Sequence, residues 1–190
     1  MRKRSLLILL SGFVLFCFFI LSCGDGTTGK KKELEKSTED NPTMNAGTGK
    51  FDIDVPEGWS KIDTSSMGMQ TVFLLSPTEG VDDDFRENIN IVTERVGSMD
   101  LEKYTELSRK GMIRMLNNFK EENEGSTTIS GEPAHWIDYS HSMNLYSFDV
   151  RVYLLKKAGV AYIITATARK GSREKWLPLF EKTVSTFRFK

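Results

Sequence analysis

Between Leu6 and Leu21 the chain carries no charged residue, and this run stops at Ser22 and Cys23. Arg2, Lys3 and Arg4 precede it. The other cysteine of the chain, Cys17, lies inside the run. No thiol remains beyond position 23 for a disulfide, a thiolate metal site or a cysteine nucleophile. Whatever folds downstream must be held by an apolar core alone. The run therefore divides the chain before any secondary structure is considered.

As a helix, the stretch from Leu6 to Leu21 would measure about 24 Å, short of the roughly 30 Å of a bilayer core. Lys30, Lys31 and Lys32 place positive charge beyond it as well, whereas a stable span keeps its basic flank on one side. A basic flank, an apolar stretch and a small residue before a cut are the marks of an export signal. With the cysteine that follows, the order resembles a bacterial lipoprotein signal peptide and its lipobox. The resemblance implies cleavage before Cys23 and acylation of its sulfur and new amino group, anchoring the chain to a membrane. An uncleaved anchor and a plain secretory signal are the alternatives. Buried acyl methylenes contribute ~0.8 kcal/mol each, so two or more chains hold persistently. Gly24 and Asp25 follow the cysteine. In enteric bacteria Asp directly after Cys favours inner-membrane retention, so this order favours the outer membrane or cell surface.

The expected organisation is a signal peptide over 1–22, lipidated Cys23 with a flexible tether over 23–49, and a globular domain over 50–190. Gly24 to Gly49 is rich in Gly, Thr, Lys and Glu and holds no aromatic residue. It cannot bury enough surface to order itself. A coil of this length reaches about 28 Å on average. A transient helix over Lys31–Lys36 is the other reading of it. Of 26 basic and 26 acidic residues, three basic and no acidic ones precede Ser22, which leaves the mature chain slightly acidic. That balance offers no basic excess for phosphates, so nucleic acid is not an expected partner.

In the domain, Phe51-Asp-Ile-Asp-Val55 alternates like a half-buried strand, and Pro56-Glu-Gly-Trp59 ends it. Thr71–Leu75 and Asn88–Val96 read as further strands, with a polar loop over Thr78–Glu87 between them. Leu101, Tyr104, Leu107, Met112, Met115 and Phe119 describe one helix face from about Asp100 to Asn117, with Ser98 or Asp100 as its cap. After the acidic stretch Glu121–Glu124 come a short strand over Ser126–Ser130, a turn at Gly131-Glu-Pro133, a strand over Ala134–His141, and a long one over Leu145–Lys156. Ala158-Gly159 makes a hairpin into Val160–Ala168, whose near-continuous apolar character marks a central strand covered on both faces. Trp176, Phe180, Val184 and Phe187 form the stripe of a last helix. Pro178 predicts a start near Trp176 or a kink. Hairpin-linked strands with two segregated helices read as an α+β fold with an antiparallel sheet.

Several stretches resemble the PsbP/Mog1-like superfamily, including its bacterial DUF1795 or DcrB-like domain: Phe51-Asp-Ile-Asp-Val-Pro-Glu-Gly-Trp59, Asn88-Ile-Asn-Ile91, Gly131-Glu-Pro-Ala134, Ala161-Tyr162, and Phe180 with Val184-Ser-Thr-Phe187. The resemblance covers nearly all of residues 50–190. It implies an antiparallel sheet flanked by helices, an α-β-α sandwich. Members of the superfamily serve photosystem assembly, nuclear transport and bacterial envelope roles, and the resemblance carries no catalytic residues with it.

Candidate chemistry is sparse. His135 and His141 share a strand face but stand about 20 Å apart, too far to bind one metal together. Asp82, Asp83 and Asp84 offer oxygen ligands without EF-hand spacing. Asp52 and Asp54 are paired carboxylates that the strand pattern alone explains as its wet side. No Gly-x-Ser-x-Gly elbow or phosphate-binding Gly-rich loop occurs. Met99, Met112 and Met115 suit core packing. Trp136, Tyr139, Tyr146 and Tyr153 fall on strands and would form a recognition patch if exposed together. The reading is a non-enzymatic, membrane-anchored envelope lipoprotein that binds a protein or small ligand, with no cofactor or metal. It predicts an apolar or aromatic concavity. A hydrolase or metal-dependent enzyme using Asp or His groups is the alternative, as is a structural or antigenic surface protein.

Overall fold

The computed structural model describes residues 49–66 and 69–190. The leader, Cys23 and the tether up to residue 48 lie outside the described residues. Among the described residues, no helix is long and apolar enough to cross a membrane.

Seven antiparallel strands form the main sheet. They are β2 (Ser60–Ser66), β3 (Met69–Leu75), β4 (Asn88–Arg95), β5 (Asn117–Ile129), β6 (Glu132–Met143), β7 (Tyr146–Lys157) and β8 (Val160–Arg169). Their spatial order is β2-β3-β4-β8-β7-β6-β5. The two remaining strands, β1 (Phe51–Asp52) and β9 (Arg188–Phe189), pair into a separate ribbon. Helix α1 (Leu101–Met115) lies on β7, and α2 (Arg173–Val184) lies on β8. Strand register assigns them to opposite faces, and the α+β sandwich expected from the sequence is what is observed.

The central position of β8 follows from its composition. Every residue from Val160 to Ala168 is buried, as a strand covered on both sides requires. Toward α2, one row of side chains runs Val72, Ile91, Ile164, Tyr153, Trp136 and Gly125 across six strands. Trp176, Phe180 and Val184 of α2 descend onto this face. Phe187 continues the stripe past the helix end and stacks on Phe51 with ring centroids 5.4 Å apart. Trp59 plugs the same core edge-on against Trp176 at 6.0 Å. The outer end of the row is a close approach. A Cβ at Gly125 would meet the Trp136 ring at 2.6 Å, so the indole lies where only glycine leaves room.

Toward α1 the register brings together Ile137, Val150, Val152, Leu154 and Ile163, all buried. Tyr104 and Met112 close this second core from the helix. Asp100 is the N-cap: its Oδ1 accepts from the Lys103 backbone N–H at 2.7 Å. The β7–β8 turn places Ala158 and Gly159 at φ 49° and 76°, the pair of positive angles that a two-residue hairpin of this twist demands.

Several element boundaries differ from the sequence-based expectation. Strand β2 has no alternation to announce it. Its residues 60–65 are exposed, and it is held by backbone pairing to β3 at the sheet edge. Strand β5 is the opposite edge and absorbs the acidic stretch Glu121–Glu124, so it is far longer than Ser126–Ser130. Charges and bulges of this kind are how exposed edges avoid pairing with other chains. Phe119, expected on the helix, sits on β5 after Leu116 ends α1 in extended conformation. The last helix follows Gly171-Ser172 directly, starting at Arg173 with Pro178 inside it. The first strand closes after Asp52 because only Phe51 and Asp52 find partners on β9.

Candidate functional site

A cleft of about 620 Å³ opens between α1 and the outer strands β5 and β6. Leu101, Thr105 and Arg109 recur every four residues, so helix geometry turns one stripe of α1 toward it. Glu102 and Glu106 stand beside that stripe, at the rim. The opposite wall comes from β5 and β6, where Ser126 is register partner to His135.

The lining of the cleft carries an ionic cluster. His135 Nε2 lies 2.9 Å from Glu124 Oε2, and the Arg109 guanidinium donates to the same carboxylate oxygen. Arg109 Nε also lies 3.2 Å from Glu121 Oε2. The hydrogen bond from His135, reinforced by Arg109, holds the Glu124 carboxyl below the usual carboxylate range. At the rim, Lys110 and Lys103 hydrogen-bond Glu106 and lower its carboxyl to about 2. Two groups are left over. Glu102 makes no ion pair among the described residues. Thr105 is 7% exposed, and its Oγ1 has no hydrogen-bond partner among them.

The other residues singled out in the sequence are dispersed. His141 shares the face of β6 with His135 but is buried between the Tyr139 and Phe148 rings at 5.9 and 5.4 Å. Burial lowers its pKa. The three loop aspartates turn to different partners. Asp83 accepts from the backbone N–H groups of Glu79 and Phe85, and Asp84 pairs with Arg169 and accepts from Tyr146. Asp82 makes no ion pair among the described residues. No three His, Cys, Asp or Glu side chains among the described residues are placed to hold a metal ion. Asp52 is bracketed by Lys61, Arg188 and Lys190, and Asp54 pairs with Arg188.

The four strand aromatics do not form one patch. Tyr139 and Tyr153 are buried on opposite faces, while Trp136 and Tyr146 are half-buried on opposite faces. The cleft lies between helix and sheet, and no Phe, Tyr or Trp lines it. Met112 is in the core, but Met115 is exposed. Two carboxylates escaped the sequence reading. Glu87 and Glu94 are pushed up by burial, and Glu94 accepts from the Tyr104 hydroxyl at 2.8 Å. Their places in and beside a strand run carry no sequence signal that separates them from surface residues.

A second ionic cluster clasps the β8–α2 turn. Asp149, 5% exposed, accepts from Lys170 Nζ at 2.7 Å and from the Gly171 N–H at 2.6 Å. Glu122 reaches over from β5 to Lys170 and Arg173. Hydrogen bonding by Lys170, then Arg173, lowers the Glu122 carboxyl to about 2. A carboxylate depressed in the fold stabilises it above its ordinary range near 4.5, and that contribution is lost as pH falls toward 2. Urea midpoints followed from pH 7 to pH 2 should therefore fall less steeply for Glu122→Gln than for the parent chain below pH 4.5. Parallel profiles would show that the clasp is not linked to protonation.

No known family model matches the chain, and no curated protein does. Solved structures do. The chain is similar to PA94, a protein of unknown function from Pseudomonas aeruginosa, at 14% identity and TM-score 0.55, covering 66% of this chain and 94% of that one. It is similar to LpqN of Mycobacterium tuberculosis, described as involved in cell envelope biogenesis, at 17% identity and TM-score 0.58, covering 73% and 82%. It is also similar to the cyanobacterial PsbP (CyanoP) of Synechocystis at 15% identity and TM-score 0.54, covering 75% and 88%. At these identities the likeness concerns the fold, which is PsbP-like.

Proposed function

We propose that the chain is an extracytoplasmic lipoprotein of the PsbP/Mog1-like, DUF1795 or DcrB-like type. Acylated Cys23 holds it to the outer membrane or cell surface, residues 24–49 act as a leash, and the domain is a non-catalytic binding module. The α1–β5–β6 cleft is its binding site. The observation that carries this reading is the ionic cluster of Arg109, Glu124 and His135 in the lining of the cleft. A general acid or base works best with a pKa near the working pH. The Glu124 carboxyl is instead held below the usual carboxylate range by His135 and Arg109. Such a cluster fixes the shape and charge of a wall, which suits recognition. Asp83 and Asp84 are engaged elsewhere and His141 is buried away from them, and LpqN offers an envelope protein with the same fold.

The test is a photo-crosslinking side chain at exposed Ser126, at the cleft mouth, in the full chain expressed in intact bacteria. A discrete crosslinked protein, identified by mass spectrometry and lost when the crosslinker is moved to Asp63 on the far edge strand, is the expected result. Loss of all crosslinks at both positions, with a turnover activity found in the purified chain, would overturn the binding-module reading.

A further inference from the structure

The main sheet ends in β5 on one side and β2 on the other, and the two edges are built differently. β5 carries Glu121, Glu122 and Glu124, and its register with β6 slips between Asn117 and Lys120 and again between Glu121 and Asn123. Charge of one sign and bulges keep other strands away. β2 has neither. It pairs with β3 without a slip from Ser60 to Ser66. Beyond β3, no backbone group of β2 hydrogen-bonds the backbone of another described residue. An unbulged edge with free N–H and C=O groups is a template for one more strand.

The residues of β2 select the strand that fits. In an antiparallel pair the groups that point at the partner recur on alternate residues, so a strand meeting a copy of itself pivots on a residue. A pivot on Lys61 sets that lysine against itself, and a pivot on Asp63 sets two carboxylates together. Like charges directly opposite destabilise a pair. A pivot on Thr64 puts Ile62 opposite Ser66. A pivot on Ile62 puts Lys61 opposite the copy's Asp63 on both sides of the axis, Ile62 opposite Ile62, and Ser60 opposite Thr64.

The side chains are already disposed for that register. Lys61 Nζ lies 3.4 Å from Asp63 Oδ2 of its own chain, and Gln70 Nε2 donates to the same oxygen at 2.9 Å. Both charges therefore stand on one face of β2, where a copy would extend them into an alternating row of four. On the other face Ile62 is register partner to half-buried Phe73, yet it is 39% exposed. A second Ile62 across the axis would cover it. We propose that the partner of the β2 edge is a second copy of this chain, paired antiparallel about Ile62 so that the two sheets become one. Seven residues from each chain make a small interface, which sets a reversible, concentration-dependent dimer. The α1–β5–β6 cleft lies at the other sheet edge, so this inference and the binding-site reading can fail separately.

The test uses the full chain in detergent, with micelles in excess so that most hold one chain. Sedimentation equilibrium should show a monomer–dimer equilibrium. Asp63→Lys sets Lys61 against a lysine, Lys61→Asp sets Asp63 against an aspartate, and each should weaken the dimer about tenfold or more. An equimolar mixture of the two variants should recover it. In the mixed pair every opposed position across the axis again carries opposite charges, while the contacts within each chain stay broken. The position of the axis is read by cysteine. Opposed Cα atoms lie about 4.5–5.5 Å apart, within disulfide range, so Ile62→Cys should form a linked dimer under mild oxidation. Lys61→Cys should not, because its copy lies roughly 8 Å away, two residues along and one strand across. The parent chain treated alike reports any link through Cys17 or Cys23. Melting temperatures show whether each variant is folded. A monomeric parent chain would overturn the proposal. So would a dimer that both charge variants retain, a mixture that stays monomeric, or equal linking at positions 61 and 62.

Discussion

Arg151→Ala should destabilise the domain by about 3–5 kcal/mol, the cost of leaving a buried charge without its partner. Arg151 reaches Asp138 through two parallel bonds, Nε to Oδ1 and Nη2 to Oδ2, each 2.6 Å. The side chains are 10% and 5% exposed. A third bond, from Nη1, runs to Glu181 of α2 at 2.6 Å, and the guanidinium lies 4.2 Å from the centroid of the Trp136 ring. One cation therefore ties β6, β7 and α2 together, and its own protonation is further favoured by Asp138. The attribution to the pair can be separated from lost packing. The double variant Asp138→Leu/Arg151→Met removes both charges and keeps volume, and it should be more stable than Arg151→Ala alone. Equilibrium urea unfolding measures both. A loss below about 1 kcal/mol for Arg151→Ala would mean that water, and not the protein, solvates Asp138.

Phe51→Ala should cost a comparable amount, about 3–5 kcal/mol, through a different mechanism. Phe51 is 1% exposed and sits where the entering chain, the departing chain and β8 converge. Its ring stacks on Phe187 and meets Tyr162 edge-on at 6.2 Å. Tyr162 in turn meets Phe187 and Phe189 at 5.7 and 5.0 Å. The rings are rigid, so a truncation leaves a cavity that neighbours cannot collapse into. Val55→Ala, four residues on at a 40% exposed position, should cost well under 1 kcal/mol. Similar losses at the two positions, read from the same unfolding curves, would show that the β1–β9 ribbon does not close this core.

How much of this was legible in the sequence depended on burial. Val160–Ala168 announced a central strand because both its faces are covered, and burial on both faces needs an unbroken apolar run. Trp176, Phe180 and Val184 announced a helix because one stripe meets a sheet. Edge strands β2 and β5 were hidden for the converse reason. A strand with a solvated face and a solvated edge needs no apolar pattern, and its charges read as a loop. Phe119 completed the helical spacing by coincidence, since three- and four-residue steps do not reveal where extended backbone begins. The cleft was hidden more deeply. Glu102, Thr105 and Arg109 look like any solvated helix face until β5 is placed opposite, and Glu124 and His135 lie in different strands joined only by register. His135 was picked out by its chemistry, but so was His141, and only the sheet separates the wall of a cleft from an interior ring. The anchor is a reading of order and composition alone, and Cys23 lies outside the described residues.

The central claim is that a lipid-held leash presents this PsbP-like domain as a binding module. The intact mass of the chain, recovered with detergent from the membranes of an expressing bacterium, tests it most directly. The account predicts a polypeptide beginning at Cys23 with the added mass of acyl groups, and a Cys23→Ser variant released from the membrane. A full-length chain with Met1 in place and an unadorned thiol at position 23 would contradict it.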